Sequence, residues 1–129
     1  MTRINSGIQP RRLTRAHLLA EHREMKRIPN MVANGRANMA NIPQTFRLGA
    51  GHCSFFYNKL GYLLRRYRAV HAEALRRGYS VTDFSSAWDN VPSDCMGDWM
   101  PTPEARLLIE QRIRARGVHM EPQTGETTI

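Results

Sequence analysis

LTRAHLLAEHREMKRI, from Leu13 to Ile28, is the stretch from which the fold is read. Stepped at about 100° per residue, it places Leu13, Leu18, Ala20, Met25 and Ile28 on one apolar arc that Val32 extends. Three polar residues, His17, Glu21 and Glu24, fall inside that arc. A core-facing helix does not carry two carboxylates and an imidazole on its apolar side unless they have partners or a task. Arg15, Arg23, Lys26 and Arg27 form a basic edge beside them. Thr14 is the expected N-cap, and Pro29 is expected to end or kink the helix.

Working outward, the spacing predicts a second helix from about His52 to Arg77. Its apolar positions are Phe56, Leu60, Leu63, Leu64, Tyr67, Val70 and Leu75, and Gly78 follows as a C′ residue. Arg65, Arg66, Arg68, Arg76 and Arg77 are expected on its solvent side. A third helix is announced by Thr102 as N-cap, Pro103 in first helical position, Glu104 in the first turn and Gly117 beyond Arg116. Residues 1–12 read as irregular, Asn34-Gly35 as a turn, and residues 41–51 as a loop whose Gly-Ala-Gly tip approaches other backbone closely. Trp88, Trp99 and Met100 are expected to pack over the helices, and Val118–Ile129 to form a mobile tail. The class is all-α: a compact single domain of three main helices with long connecting loops.

The 129 residues carry a net charge of +8. Of the 19 basic residues, all but Lys26 and Lys59 are arginine, whose planar fork suits phosphate. A polyanion, nucleic acid first, is the expected partner, although an arginine-rich composition alone would also raise the charge. No run approaches the ~18 apolar residues of a membrane span. The N-terminus lacks the apolar stretch of a signal peptide. Cys53 and Cys95 form no CxxC, and both are read as free thiols in a reducing, cytoplasmic compartment.

Among His17, His22, His52, Cys53, Cys95 and His119 there is no HExxH and no paired CxxC, so neither a metal nor a cofactor is expected. GxSxG is absent, and the Gly49–Gly51 loop lacks the lysine of a P-loop. Cys53 beside His52 is an unspecific thiol–imidazole pair. The N-terminus remains. Methionine aminopeptidase removes an initiator that precedes a small residue, leaving a free α-amino group on Thr2. Such an amine has a pKa of about 7.7–8.0 against about 10.4 for lysine, so more of it is neutral and nucleophilic at pH 7. A neutral amine attacks an electrophilic sugar carbon to form an imine, and a nearby carboxylate moves protons.

The runs Thr2-Arg3-Ile4-Asn5, His17-Leu18-Leu19-Ala20-Glu21-His22-Arg23-Glu24 with Arg27, and Thr45-Phe46-Arg47-Leu48-Gly49-Ala50-Gly51-His52 followed by Phe55-Phe56-Tyr57 resemble the phage pyrimidine-dimer DNA glycosylases of the endonuclease V type. Leu75-Arg76-Arg77-Gly78 and Gly97-Asp98-Trp99-Met100-Pro101 extend the resemblance over roughly residues 2–105. It implies glycosylase and AP lyase activity on cyclobutane pyrimidine dimers, with β-elimination after imine formation. It further implies an N-terminal segment threaded between helices. By resemblance, Thr2 supplies the nucleophilic amine, Glu24 is the catalytic carboxylate, and Arg3, His17, Arg23 and Arg27 bind DNA. Glu21 is read as a structural partner of an arginine. The expected partner is damaged double-stranded DNA, met by a monomer.

The chain departs from the family around Pro29 and in the third helix, where Arg112, Arg114 and Arg116 do not align one to one. Val118–Ile129 holds no aromatic residue, whereas the best-known member ends in an aromatic, lysine-containing segment. Two alternatives therefore stand beside the first reading: a non-enzymatic arginine-rich DNA-binding protein, and an AP lyase with a different lesion preference.

Overall fold

The helix anticipated over Leu13–Ile28 forms as two in the computed structural model, which describes residues 2–120 and 129. Helix α1 spans Arg15–Glu24 and α2 spans Arg27–Ala33. The break at Met25–Lys26 has a covalent origin. Pro29 has no N–H to give the Met25 carbonyl, and its ring crowds that oxygen. The Met25 oxygen accepts instead from the Ile28 amide at 3.2 Å. Pro29 then lies in the first turn of α2, where a missing N–H costs nothing. It kinks the helical run and does not end it. At the other end, the Thr14 hydroxyl accepts from the His17 amide and caps α1.

Helix α3, Leu60–Arg76, starts eight residues later than the periodicity suggests. A single 3₁₀ turn, Ser54–Phe56, stands in place of its expected first turns. The segment around Gly97 lies against the beginning of α3, and the Tyr62 amide donates to the Gly97 carbonyl at 3.1 Å. This approach demands glycine twice. A Cβ on Gly61 would stand 2.6 Å from the Met96 carbonyl oxygen, and one on Gly97 would collide with the Asn58 oxygen. The Gly61→Ala variant should therefore lose about 1–3 kcal/mol by overpacking, read as a lowered midpoint in thermal denaturation. Gly49 has nothing near it. The close backbone approach expected at the Gly-Ala-Gly tip occurs at Gly61 and Gly97 instead, and Gly49 and Gly51 serve the loop through their positive φ.

Helix α4, Pro103–Arg114, keeps the anticipated start, with the Thr102 hydroxyl accepting from the Ala105 amide. Among the described residues there is no strand, and the chain is all-α. Helices α1 and α3 pack directly on one another. Between them and around them lie Ile4, Ile8, Leu18, Met25, Phe56, Tyr62, Leu63 and Tyr67, all buried. Trp88 is buried, and Trp99 stacks on Phe46 at a centroid distance of 5.8 Å. Met100 does not join them: it is 80% exposed. Leu75 is also exposed, although Ala74 beside it is fully buried: it lies on the solvent side of α3. Of the tail expected to be mobile, residues 121–128 lie outside the described residues. Met120 is buried in the core, and the Ile129 backbone oxygen accepts from Arg66 at 2.8 Å.

Arg66 is the main correction to the sequence reading of α3. It was expected in solvent and has no exposed surface. Its guanidinium meets Glu21 in a bidentate pair, Nε to Oε2 at 2.7 Å and Nη2 to Oε1 at 2.9 Å. Nη1 donates to the Ile8 carbonyl at 2.6 Å. Burial works against the charge of Arg66, and the Glu21 carboxylate more than reverses it. On a helical wheel Arg66 falls at the edge of the apolar arc, and a partner 45 residues away draws it inward. The carboxylate of α3, Glu73, is held below the usual range by hydrogen bonds from Arg76 and Arg77 despite its burial.

No helix among the described residues is long and apolar enough to cross a membrane.

Candidate active site

The polar residues on the apolar arc of α1 divide between two environments. Glu21 faces inward to Arg66, as its reading as a structural partner anticipated. Its Oε1 also accepts from Asn5 Nδ2 at 2.8 Å, which ties the N-terminal segment to α1. Asn5 Oδ1 in turn accepts from Arg112 Nη2 at 2.9 Å. A continuous polar chain thus runs from α3 through α1 and the N-terminal segment to α4. A second contact, Arg12 to Glu110 at 3.0 Å, holds α4 in the same position.

At the outer end of that chain is a cleft of about 370 Å³. Arg3, Asn5, His17, Glu21, Glu24, Arg112 and Arg116 line it, with Ala16, Ala20 and Ile113. Three arginines from two ends of the chain face one another across a small space. Arg112 feels this most. Burial, then Arg3 and Arg116, pull its guanidinium down to about 10 from its ordinary value. His17 is lowered as well, by burial first and then by Arg116, Arg112 and Arg3. Its Nδ1 lies 2.8 Å from the Thr14 hydroxyl that caps the helix. A part-buried arginine whose charge is disfavoured by burial and by two arginines beside it makes a place that an anion stabilises.

Glu24 ends α1 with its side chain 15% exposed, and Arg27 Nη1 stands 3.6 Å from its Oε1 across the kink. The kink thus keeps a carboxylate in the cleft and an arginine at its rim. Thr2 is buried beside the cleft and is not among the residues that line it. Its carbonyl accepts from the Cys53 thiol at 3.6 Å. Burial raises that thiol above its usual range, and the Glu24 carboxylate adds to the rise. Glu24 is therefore within electrostatic reach of the residue that grips Thr2.

Of the residues named from the sequence, the structure gathers Arg3, His17 and Glu24 in one cleft, with Arg27 touching Glu24. Arg23 is elsewhere: it lines a second depression with Arg15, Leu19, His22, Tyr79 and Phe84 on the neighbouring face of α1. Sequence reading missed Asn5 as a linker and left Arg112 and Arg116 unassigned. Their spacing of four residues was the available signal, since in a helical run it puts two side chains on one side; Arg116 lies just past the end of α4, and both line the cleft.

The two lysines are the rival amines. Lys26 Nζ donates to the Arg23 carbonyl and stands 3.7 Å above the Phe84 ring. Lys59 Nζ donates to the Phe55 carbonyl and to Asn58. Burial lowers both ammonium groups, with Arg27 and Arg23 adding to the effect at Lys26. Neither lines the Glu24 cleft. No group of three or more metal-binding side chains occurs among the described residues. The model of the family described as pyrimidine dimer DNA glycosylase matches residues 1–86, which include α1, α2, α3 and the N-terminal segment.

Proposed function

The chain belongs to the pyrimidine dimer DNA glycosylase family, and from that premise we propose that it excises damaged pyrimidines through the Thr2 α-amino group. Met1 must first be removed. The neutral amine attacks C1′ of the damaged nucleotide, and a new N–C1′ bond forms as the glycosylic bond breaks and the base leaves with its electron pair. Opening of the sugar, with a proton delivered to its ring oxygen, gives an imine. The imine acidifies the C2′–H bond. Loss of that proton expels the 3′ oxygen with its phosphate and nicks the strand, which is AP lyase chemistry. Glu24 moves the protons in these steps. Arg3, Arg112 and Arg116 hold the phosphates, with His17 supporting them and Arg23 and Arg27 extending the contact along the duplex.

The observation that carries this reading is the mostly buried Glu24 carboxylate in a cleft walled by arginines, beside the segment bearing Thr2. The engagement of both lysines away from the cleft supports the terminal amine over a side-chain amine. The Glu24–Arg27 contact favours a second reading, in which the carboxylate is only a structural ion pair and the protein binds DNA without cleaving it.

Borohydride trapping on an abasic duplex separates the two. One adduct is expected, mapped by peptide analysis to Thr2. Extra residues placed before Thr2 should abolish the adduct and the cleavage while duplex binding persists. Cleavage at an undiminished rate by the extended chain, or an adduct on Lys26 or Lys59, would sink the terminal-amine mechanism. A dimer-containing oligonucleotide run beside the abasic one reads the lesion preference.

A further inference from the structure

His52 is 4% exposed and lies outside the Glu24 cleft, yet it touches the segment that leads to Thr2. Its Nε2 lies 3.0 Å from the Ile4 amide nitrogen. Its Nδ1 lies 2.9 Å from the Arg47 carbonyl oxygen. An amide N–H only donates, so Nε2 accepts. A carbonyl only accepts, so Nδ1 carries the proton. The two partners together specify one neutral tautomer. The following residue, Cys53, holds the Thr2 carbonyl. Consecutive side chains on the 41–53 loop thus grip the chain at residues 2 and 4. The sequence offered His52 only as a neighbour of a thiol.

We propose that His52 is a positioning residue, whose imidazole accepts the Ile4 N–H and so sets where the terminus of Thr2 stands relative to Glu24. The functional half of this proposal rests on the Thr2 reading above; the clamp itself does not.

The clamp and a second proton on the ring exclude each other, because that proton would sit on Nε2, pointed at the Ile4 N–H. The groups facing the ring act in both directions. Burial lowers its proton affinity most, the Arg47 carbonyl raises it, Arg112 from α4 lowers it, Glu21 from α1 raises it, and Arg3 lowers it. Phe46 and Phe56 meet it edge-on and keep water away. The net shift is downward from 6.5. The imidazole is therefore neutral and the clamp complete above pH 6.5. As the pH falls below that value the folded clamp loses stability relative to the unfolded chain, and it opens as the pH passes through the lowered value.

The test compares the full chain, Met1 removed, as wild type, His52→Leu and His52→Gln between about pH 5 and 8. Glutamine keeps an oxygen acceptor and does not titrate over this range. Three quantities are measured: Ile4 amide exchange by NMR, the single-turnover rate of the trapped adduct on an abasic duplex, and the duplex Kd. The Leu variant should lose Ile4 protection and on the order of 10–100-fold in adduct rate, because a small misplacement of a reacting group is expensive. Its Kd should stay within about twofold, since the phosphate contacts are untouched. The Gln variant should recover most of the rate and lose the acid-side inflection of the wild type. A wild-type adduct rate in folded His52→Leu, or an acid inflection unchanged in His52→Gln, overturns the proposal. Should His52→Leu fail to fold, the Gln profile decides. Should the wild type form no adduct at Thr2, the terminal-amine chemistry fails and Ile4 exchange alone judges the clamp: equal exchange in wild type and variants overturns it.

Discussion

The Glu24→Gln variant is expected to bind damaged duplex as tightly as the wild type and to lose strand cleavage by a factor on the order of 10²–10⁴, the range spanned by general acid–base groups. The carboxamide has the shape of the carboxylate, so the end of α1 and the cleft wall keep their packing. What it lacks is the ability to take up and return a proton. Binding should not be reduced, because the proposed phosphate contacts belong to arginines and removal of a negative charge from an arginine-walled cleft does not repel DNA. Parallel measurements of duplex affinity and of cleavage on abasic and dimer substrates read the two effects separately. A purely structural role at the Glu24–Arg27 contact predicts the opposite pattern. Arg27 is the exposed partner of a 3.6 Å contact, and ion pairs open to solvent on one side contribute little, on the order of 1 kcal/mol, so breaking this one would leave cleavage near normal and move stability slightly. Cleavage at the wild-type rate in Glu24→Gln would therefore assign the carboxylate to the ion pair.

The largest stability effect is expected at the other carboxylate of α1. Removing one partner of the buried Glu21–Arg66 pair, as in Glu21→Ala or Arg66→Ala, should cost about 3–5 kcal/mol, since a charge is left in the interior without compensation. For a chain of this length the thermal midpoint should fall by roughly 10–20 °C. Arg66→Ala should be the worse of the two, because it also abandons the Ile8 and Ile129 carbonyls. The double replacement Glu21→Leu with Arg66→Met should recover much of the loss, as apolar residues of similar volume do in place of buried ion pairs. A double-mutant cycle measures the coupling directly. A coupling near zero would contradict the assignment. The pair also bears on function. Glu21 orients Asn5, and Asn5 orients Arg112, so the stabilised double variant should bind duplex more weakly than the wild type although it is folded.

The two carboxylates show how far local pattern reaches. Glu21 and Glu24 are three residues apart, and both break the apolar arc of α1 in the same way. The sequence alone marks both as anomalies. It assigns them opposite tasks only through the resemblance for Glu24 and the surplus of arginines for Glu21. The identity of the arginine that buries Glu21 was not legible, because Arg66 belongs to a run of basic residues that reads as a solvated face. That Arg23 stands apart from the Glu24 cleft was not legible for a related reason. It flanks Glu24 in sequence, but one residue along a helix turns a side chain through about 100°, and Arg23 faces the second depression. Arg112 and Arg116 stayed unassigned since their role depends on α4 meeting residues 3 to 5.

The helix caps at Thr14 and Thr102, the kink enforced by Pro29, the all-α class and the basic character follow from the sequence alone. Each is settled within about one helical turn or by counting charge, so no distant partner is required. Tertiary structure alone decided that Arg66 is buried, that α3 begins at Leu60, that His52 clasps the N-terminal segment, and that Arg3, His17, Glu24, Arg112 and Arg116 share one cleft. The free energy of a charged or hydrogen-bonding group depends on what faces it across the fold. For the stretch from Leu13 to Ile28, those facing groups come from residues 3 to 5, from α3 and from α4.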